Sequence, residues 1–108
     1  MIKTFSLLKR RPEMTRAEFH RWWLEDHIPY AVKLPGVLKY RVCLTIGSTT
    51  HPDDEAPFDG VAELWFDDRA AMEHAWTVSE EGKRAIEDSY ANVSERWVLI
   101  TEEHVILG

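Results

Sequence analysis

The stretch EFHRWWLEDHIPYAVKLPGVLKY, residues 18–40, combines a helix, a turn and the start of a strand, and it decides the fold. Thr15, which precedes it, and Glu18 form a capping-box pair, in which each side chain accepts a hydrogen bond from the other residue's backbone N–H. A helix is therefore predicted to begin at Thr15. Pro29 disfavours the helical conformation at the residue before it, which predicts a helix end near His27, and the sequence is compatible with a further short turn after the proline.

The turn Pro35-Gly36 and the alternation of apolar and polar residues after it predict a second strand over 37–46. The rest of the chain predicts strands at 2–8, 60–66 and 97–106 and a second helical region at 67–90. The resulting order, β-α-β-β-α-β, is that of a ferredoxin-like α+β sandwich with both helical regions on one face of the sheet. Because the chain has 108 residues and no linker-like tract, residues 1–108 are predicted to form a single domain.

Composition and charge exclude several classes of protein. Hydrophobic residues make up 44% of the chain and charged residues 30%, with no long apolar run, which predicts a soluble globular protein without a membrane partner. The formal net charge of −6 repels phosphate backbones, and Lys9, Arg10 and Arg11 form the only basic run, so no nucleic-acid partner is expected. A single cysteine, Cys43, and the absence of a secretory signal pattern predict a reducing, cytoplasmic location.

Two of the predicted strands are apolar on both faces of the sheet. The third strand contains Val61, Ala62, Leu64, Trp65 and Phe66, and the fourth has the run WVLI at 97–100. The helices cover one face only, and a large exposed apolar face associates in water. A homodimer is therefore predicted, with a second copy of the chain as the cover. The alternative cover is the loop at 47–58, whose HPDDE segment is very polar for that role.

Four motifs are spread over nearly the whole chain: Phe19-x3-Trp23-x3-His27-x-Pro29, Leu34-Pro-Gly-x3-Tyr40, AELWF at 62–66 and TEE at 101–103. Together they resemble the EthD-like family of dimeric α+β barrels and its relatives, the methylmuconolactone methylisomerases. The resemblance implies that a histidine late in the first helix and a tyrosine early in the second strand, here His27 and Tyr40, face the ligand. Similar barrels include isomerases, polyketide cyclases, cofactor-free monooxygenases and accessory proteins. Many EthD-like chains have a small residue where this chain has Ile28, which implies a narrower pocket.

His27 and Tyr40 have the chemistry for proton transfer without a cofactor. An imidazole can take a proton from a carbon beside a carbonyl group, while a phenol can donate a hydrogen bond to the enolate oxygen that develops. The helix dipole favours protonated His27 and burial beside Trp23 favours the neutral form, so no net direction is predicted for the pKa of His27. Two alternatives stay open: His27 bonded to a carbonyl at the helix end, and Tyr40 as a core tyrosine.

The candidates for substrate binding besides His27 and Tyr40 are Phe19, Trp23, Tyr30, Glu63 and Trp65. The first three share one helical stripe with His27, a spacing that is also typical of residues facing a protein core. Glu63 is more informative, because a carboxylate among apolar strand residues is costly to bury without a partner. It is predicted to lie at an exposed edge, to pair across a dimer contact or to belong to the site.

No metal site or cofactor is expected from the sequence. His20 and His27 are seven residues apart, hence about 10 Å along a continuous helix at about 1.5 Å per residue, which is too far for them to hold one ion. The acidic loop at 51–55 is typical of a solvated surface segment. The chain has no glycine-rich phosphate loop and no serine or cysteine nucleophile motif.

Three functions are compatible with these residues. The first is a cofactor-independent enzyme of isomerase or cyclase type, in which His27 is the base and Tyr40 the oxyanion donor for a small hydrophobic cyclic, lactone or polyketide-like carbonyl compound. The second, which the resemblance implies, is an accessory or binding protein for an oxidoreductase system that degrades ethers or aromatic compounds. The third is a cofactor-free or haem-type monooxygenase, which rests on shared barrel architecture and the five tryptophans. Fold alone does not choose among them.

Overall fold

A four-stranded antiparallel sheet forms one layer of the protein in the computed structural model, which describes residues 1–108. Its strands are β1 Ile2–Arg10, β2 Lys39–Leu44, β3 Gly60–Phe66 and β4 Val93–Glu102. They lie side by side in the order β2-β3-β1-β4. Two helical regions form the second layer on one face of the sheet, and apolar side chains of both layers share one core. The predicted ferredoxin-like α+β fold is therefore confirmed.

The first helical region spans residues 16–31 and begins where the capping box predicts. The Glu18 N–H donates to Thr15 Oγ1 at 3.1 Å, and the Thr15 N–H donates to Glu18 Oε1 at 2.9 Å. The region consists of α1 Arg16–Arg21, a π-helical turn Trp22–His27 and α2 Ile28–Ala31. The two reciprocal bonds satisfy N–H groups that have no partner inside a helix, so they fix the first residue of the helix.

A π-helical turn carries the first helical region past the end predicted near His27. The Ile28 N–H donates to the carbonyl oxygen of Trp23, five residues back, which is the hydrogen bond of a π turn. Pro29 then stands in the first turn of α2, where its ring holds φ at about −65°, close to the helical value. The short turn expected after the proline is therefore present as α2. It continues the first helical region directly, with no break between the π turn and α2.

The second helical region spans residues 69–89 and is capped by Asp68. It consists of α3 Arg69–Glu73, a π-helical turn His74–Val78 and α4 Glu80–Ser89. At the corner before α4, the Ser79 hydroxyl donates to the Ala75 carbonyl at 2.6 Å and accepts from the Gly82 N–H at 3.0 Å. A Cβ on Gly82 would lie 1.9 Å from the Ala75 carbonyl oxygen, so the corner requires glycine there. No helix of the protein has the length and apolar character needed to cross a membrane.

The third strand has its predicted bounds, whereas β4 begins and ends four residues before the predicted 97–106. Glu102 pairs with Ile2, the first residue of β1, so the residues after Glu102 have no strand beside them. At the other end, β4 gains residues because Val93 pairs with Arg10 across a shift in register. The length of the neighbouring strand, and not the apolar pattern of β4 itself, decides where β4 stops.

Alternation along the strands gives the sheet two distinct faces. The face toward the helices carries Ser6 and Leu8 of β1 and Ala62 and Leu64 of β3. We call the other side the outer face. Its exposed apolar residues include Trp97 and Leu99 of β4, with 55% and 47% of their surface exposed. From the loop before β3, Pro57 and Phe58 flank these two residues. The loop therefore covers only part of the outer face.

The loop between β2 and β3 is held by Asp59, which is 1% exposed. Its carboxylate pairs with the Arg10 guanidinium, accepts from the Arg10 backbone N–H at 2.8 Å and lies 3.6 Å from Arg16 Nε. Its carbonyl oxygen accepts from the Thr45 N–H at 3.0 Å and lies 2.9 Å from His20 Nε2. We call Arg10, Arg16, His20 and Asp59 the Asp59 cluster. It ties the loop to β1 and to the first helical region.

Candidate active site

A cavity of about 270 Å³ lies between the helical layer and the sheet. Side chains from all four strands and both helical regions form its wall, and most of them are apolar. The polar residues of the wall are Ser6, His27, Tyr40 and Arg96. An apolar cavity with a few converging polar groups is the usual form of a small-molecule site, so this cavity is the candidate active site.

His27, at the end of the first π turn, has a carboxylate partner from the other helical region. The residue is 6% exposed, and its Nδ1 lies 3.0 Å from Oδ2 of Asp88 on α4. Because a carboxylate can only accept, Nδ1 carries the proton and the neutral imidazole has its lone pair on Nε2. Nε2 has no partner within the protein, so it is the ring atom available to a ligand. The predicted alternative, a bond from His27 to a helix-end carbonyl, is not found.

Burial lowers the pKa of His27 below its ordinary value of 6.5, and this is the largest influence on that pKa. Asp88 raises the pKa through its hydrogen bond and its charge, while the positive charge of Arg96 lowers it. Sequence patterns left the direction open between the helix dipole and burial, and in the folded protein burial outweighs the acidic partner. His27 is therefore neutral at pH 7, which is the form that can accept a proton.

Tyr40 enters the cavity from β2 as a hydrogen-bond donor. Burial raises the pKa of its phenol above the ordinary value of 10.0, and the nearby indole N–H of Trp23 opposes this rise. The Tyr40 hydroxyl therefore stays protonated at neutral pH. The Trp23 N–H is buried and makes no hydrogen bond of normal geometry. The Tyr40 O–H is therefore the donor that the cavity wall offers to an oxygen atom of a ligand.

Trp23 occupies its place in the wall because Gly60, the first residue of β3, has no side chain. A Cβ on Gly60 would lie 2.6 Å from Cζ3 of the Trp23 ring, far inside the contact distance of about 3.5 Å between nonbonded carbons. The Trp23 ring is 0% exposed and packs directly on the strand backbone at this point. The glycine therefore serves the cavity, since any larger residue displaces one of its walls.

Arg96 of β4 brings a positive charge into the cavity wall and has no acidic partner within 4.0 Å. Its guanidinium donates to the Ser89 hydroxyl, which in turn donates to the carbonyl oxygen of Ile86 at 2.6 Å. Ser89 is neutral, so it positions the guanidinium without compensating its charge. Burial lowers the pKa of Arg96, but an arginine side chain stays protonated in proteins, so the charge remains.

Neither Arg96 nor Asp88 was predicted from the sequence as a site residue. For Arg96 a signal existed, because β4 alternates and Arg96 shares its face with Val98 and Ile100. The predicted strand, however, began at residue 97, four residues after the observed start and one residue after Arg96. For Asp88 no signal existed. It is one of several acidic residues on α4, and its partner His27 lies 61 positions away in the chain.

Phe19 and Tyr30, two predicted substrate-binding residues, do not line the cavity. Phe19 is 0% exposed and packs in the core, with ring centroids 5.3 Å from Trp22 and 5.8 Å from Trp23. Tyr30 is 40% exposed on the solvent side of α2. Ala31, four residues after His27, faces the cavity instead, and consecutive helical residues differ in direction by about 100°. Of the predicted helical stripe, the cavity receives Trp23 and His27.

Glu63 and Trp65 were also predicted to bind substrate, and the structure places both on the outer face of the sheet. The cause is the alternation of β3, because its neighbours Ala62 and Leu64 face the cavity. Glu63 pairs with Lys3 at 2.9 Å, and the same ammonium group lies 4.3 Å from the centre of the Trp65 ring. Glu63 thus has a partner within its own chain, on a strand flanked by two others.

No three His, Cys, Asp or Glu side chains are gathered closely enough to hold a metal ion. Asp88 is engaged with His27, and the acidic loop at 51–55 is exposed and lies outside the cavity wall. The polar groups that line the cavity are one imidazole, one phenol, one guanidinium and the Ser6 hydroxyl.

The antiparallel sheet, the helical layer on one face and the cavity between them define a ferredoxin-like α+β protein. Within that class, the family model for the EthD domain matches residues 11–95 of the chain. The chain belongs to the EthD family, as the four motifs predict. A search of curated proteins finds no significant match.

Several solved structures share the fold. An ethyl tert-butyl ether D (EthD) family protein from Bacillus halodurans C-125 is 25% identical, with a TM-score of 0.80 over 96% of this chain and 99% of that protein. A dimeric protein of unknown function with a ferredoxin-like fold from Bacteroides fragilis NCTC 9343 is 14% identical, with a TM-score of 0.70 over 94% and 95% of the two chains. An antibiotic biosynthesis monooxygenase is 17% identical, with a TM-score of 0.65 over 97% and 100%. The last two likenesses concern the fold alone.

Proposed function

We propose that the protein is a cofactor-independent enzyme that moves a proton on a small cyclic, lactone or polyketide-like carbonyl compound, as an isomerase or a cyclase does. One observation carries the proposal. His27 has its Nδ1 held by Asp88 and its Nε2 without a partner, and it shares an apolar cavity with the protonated Tyr40 hydroxyl. A base and an oxyanion donor in one cavity are the two groups that enolisation requires.

In the proposed reaction, Nε2 of His27 takes a proton from the carbon beside the substrate carbonyl. The electron pair of that C–H bond forms a C=C bond, and the carbonyl pair moves onto oxygen, where the Tyr40 O–H donates to it. Asp88 stabilises the imidazolium that forms, since its carboxylate accepts the Nδ1–H bond. The apolar wall strengthens these interactions, because charges and dipoles attract each other more strongly beside apolar side chains than in bulk water.

The same enolate can react in two ways. In an isomerisation, the imidazolium returns the proton to another carbon of the conjugated system and the carbonyl group forms again. In a cyclisation, the enolate carbon attacks a second carbonyl group of the same molecule, and the imidazolium gives its proton to the new alkoxide. Both routes begin and end with neutral His27, so neither needs a redox partner or a cofactor.

Hydrogen–deuterium exchange tests the proposal on a panel of lactones and cyclic ketones in heavy water, followed by NMR. The wild-type protein should exchange the proton beside the carbonyl group of at least one compound. His27→Gln should lose about 10²-fold or more of that rate, which is the usual contribution of a general base. His74→Gln, at an exposed histidine, is the matched control and should keep the full rate. A folded His27→Gln protein that kept full turnover would reject His27 as the base.

The second candidate is ligand binding without conversion, as in an accessory protein of an oxidoreductase system. The mostly apolar wall of the cavity favours it, since such a wall suits the storage of a hydrophobic intermediate. The same panel separates the two functions, because an accessory protein should bind a compound tightly and release it unchanged. Oxygenation, the third candidate, rests on fold likeness alone, and conversion of a substrate without oxygen would exclude it.

We propose a homodimer in which the outer faces of two sheets pack together. Trp97 and Leu99 support it, because they are large, apolar and half exposed on that face, and a similar fold from Bacteroides fragilis is dimeric. Sedimentation should show a dimer that Trp97→Glu converts to a monomer. Val78→Glu, at an exposed apolar residue of the helical layer, should stay dimeric. A wild-type monomer at micromolar concentration would contradict the proposal.

Two predictions from sequence stay predictions: the single domain over residues 1–108 and the cytoplasmic location. Cys43 is free and exposed on β2, which fits a reducing compartment. Fractionation of cells that make the protein would test the location, and limited proteolysis would test the domain. A stable proteolytic fragment much shorter than the chain would contradict a single domain over residues 1–108.

A further inference from the structure

Arg96 is the one cationic side chain in the cavity wall, and nothing in the protein compensates its charge. The nearby acid Asp88 is bonded to His27 and is not within 4.0 Å of the guanidinium. The Arg10 guanidinium, also half-buried, is by contrast paired with Asp59. An unpaired charge beside apolar side chains is unfavourable. Such a charge is therefore expected where a ligand of opposite charge pairs with it.

We infer that Arg96 binds a carboxylate group of the substrate, so that the ligands of this cavity are small cyclic or aromatic carbonyl compounds with one carboxylate. The inference deepens the proposed function, on which it rests for the reacting carbonyl group. The planar guanidinium fork of arginine matches a carboxylate through two parallel N–H bonds. Arg96 uses its side chain for one bond to the Ser89 hydroxyl, which leaves further N–H groups free for a ligand.

The sheet places the two ends of such a ligand at opposite edges. Tyr40 comes from β2 and Arg96 from β4, and these are the outermost strands. Across the sheet their backbones are three strand spacings apart, roughly 14 Å at about 4.8 Å per spacing. Along the strands they are offset by four residues, roughly 13 Å at about 3.3 Å per residue, because Arg96 lies level with Leu44 and Tyr40 lies level with Ile100. Both side chains line the same cavity. A molecule with a carbonyl group at one end and a carboxylate at the other fits between them, with His27 in the helical wall above.

A carboxylate fits the cavity better than a phosphate does. One guanidinium compensates one negative charge, whereas a phosphate monoester carries nearly two at neutral pH. The other polar groups of the wall are neutral, namely Ser6, Tyr40 and His27. A second charge on the ligand would therefore lie unpaired among apolar side chains, which is unfavourable.

Calorimetric titration with three single-ring probes tests the inference, namely phenylacetate, phenylacetamide and phenyl phosphate. Wild-type protein should bind phenylacetate about tenfold or more tightly than phenylacetamide, since a charge-assisted bidentate pair is worth at least that ratio. Arg96→Met should remove this preference. Arg84→Met, which removes the same charge from an exposed position on α4, is the matched control and should keep it.

Arg96→Lys is the second variant, which retains the charge and guards against misfolding of Arg96→Met. It should lose the carboxylate preference several-fold, because an ammonium group cannot form two parallel N–H bonds with a carboxylate. The inference is overturned if the wild-type protein binds none of the probes, if it binds acid and amide equally, or if both Arg96 variants keep the full preference. Tighter binding of phenyl phosphate than of phenylacetate overturns the carboxylate assignment.

The carboxylate site and the proposed reaction can fail separately. A carboxylate preference that depends on Arg96, found together with no deuterium exchange on any keto acid, rejects the enzyme and keeps the site. Exchange that is equally fast on neutral ketones and on their carboxylate analogues rejects the site and keeps the enzyme.

Discussion

The Asp59 cluster and the cavity region each contain arginine and acidic side chains that are at least partly buried, but the two regions differ in how far these charges are matched. In the Asp59 cluster, one buried carboxylate faces the Arg10 and Arg16 guanidinium groups, and its own backbone is bonded as well. In the cavity, Asp88 serves His27 and leaves Arg96 with a neutral hydroxyl. Matched groups stabilise a fold, whereas unmatched groups are available to a ligand. The two regions should therefore respond in opposite ways to the loss of a charge.

The largest expected effect is the loss of the carboxylate of the Asp59 cluster. Asp59→Asn removes the partner of two guanidinium groups at a residue that is 1% exposed. Breaking one side of a buried pair costs about 3–5 kcal/mol of unfolding free energy, which urea titration measures. Asp54→Asn, an exposed position in the same loop, should change stability by less than about 0.5 kcal/mol. Equal stabilities of the two variants would show that the cluster is not a structural centre.

Gly60→Ala should cost about 2 kcal/mol, because its Cβ would lie 2.6 Å from the Trp23 ring and the ring must move. Ligand affinity should fall as well, since Trp23 is part of the cavity wall. The control is Gly47→Ala, whose Cβ would lie 3.1 Å from a carboxylate oxygen of Asp53 in an exposed loop that can shift. Urea titration and ligand titration should therefore separate the two variants. A Gly60→Ala protein of wild-type stability and affinity would contradict this account of Trp23.

Removal of the unmatched charge should have a smaller effect and the opposite sign. Arg96→Met should leave the unfolding free energy unchanged or raise it by up to about 1 kcal/mol, because an apolar side chain replaces a half-buried cation without an acidic partner. The Ser89 hydroxyl keeps its bond to the Ile86 carbonyl in the variant. Arg10→Met, by contrast, should lose about 2–3 kcal/mol, since Asp59 is left behind. If Arg96→Met lowered the unfolding free energy as much as Arg10→Met, the two regions would not differ in how their charges are matched.

The smallest effect concerns the titration of His27 by NMR. Its midpoint should lie below 6.5, since burial lowers the pKa, and Arg96→Met should raise the midpoint while Asp88→Asn lowers it further. Unfolded His27 binds a proton near pH 6.5 and the folded residue does so only at lower pH. The contribution of His27 to stability is therefore present above pH 6.5 and is lost as the pH falls through the folded pKa. His27→Gln should flatten this part of the stability profile, and a midpoint above 6.5 would contradict the assignment.

The fold could be predicted because its signals are local. The capping box of Thr15 and Glu18 places the start of the first helical region, and the apolar run of β3 gives that strand its bounds. The end of β4 could not be predicted, because it depends on where β1 begins. The π turns were not predicted either, since they arise from packing of whole helical regions and have no residue pattern of their own.

The site could be predicted only in part, namely for the residues that belong to local sequence motifs. His27, Tyr40 and Trp23 were predicted as site residues from their motifs, and the structure brings them to one cavity. Glu63 was one candidate for the site because a carboxylate among apolar strand residues is costly to bury, and Trp65 stands on the same face of β3. Alternation alone does not say which face of β3 the helices cover. A partner such as Asp88 depends on contact between two distant helical regions, which no local pattern reports.

The peptide bond between Asp59 and Gly60 joins the loop to the cavity, because one residue is held by arginines and the next supports the Trp23 ring. The segment that precedes this bond in the chain, around His51, is exposed, and His51 itself bonds only to Ser48 and Thr50 of the same loop. Insertions there lengthen a surface loop whose far end is already fixed, and loop closure costs little per added residue. The position near His51 is therefore suited to an inserted tag or reporter domain that leaves the ligand site intact.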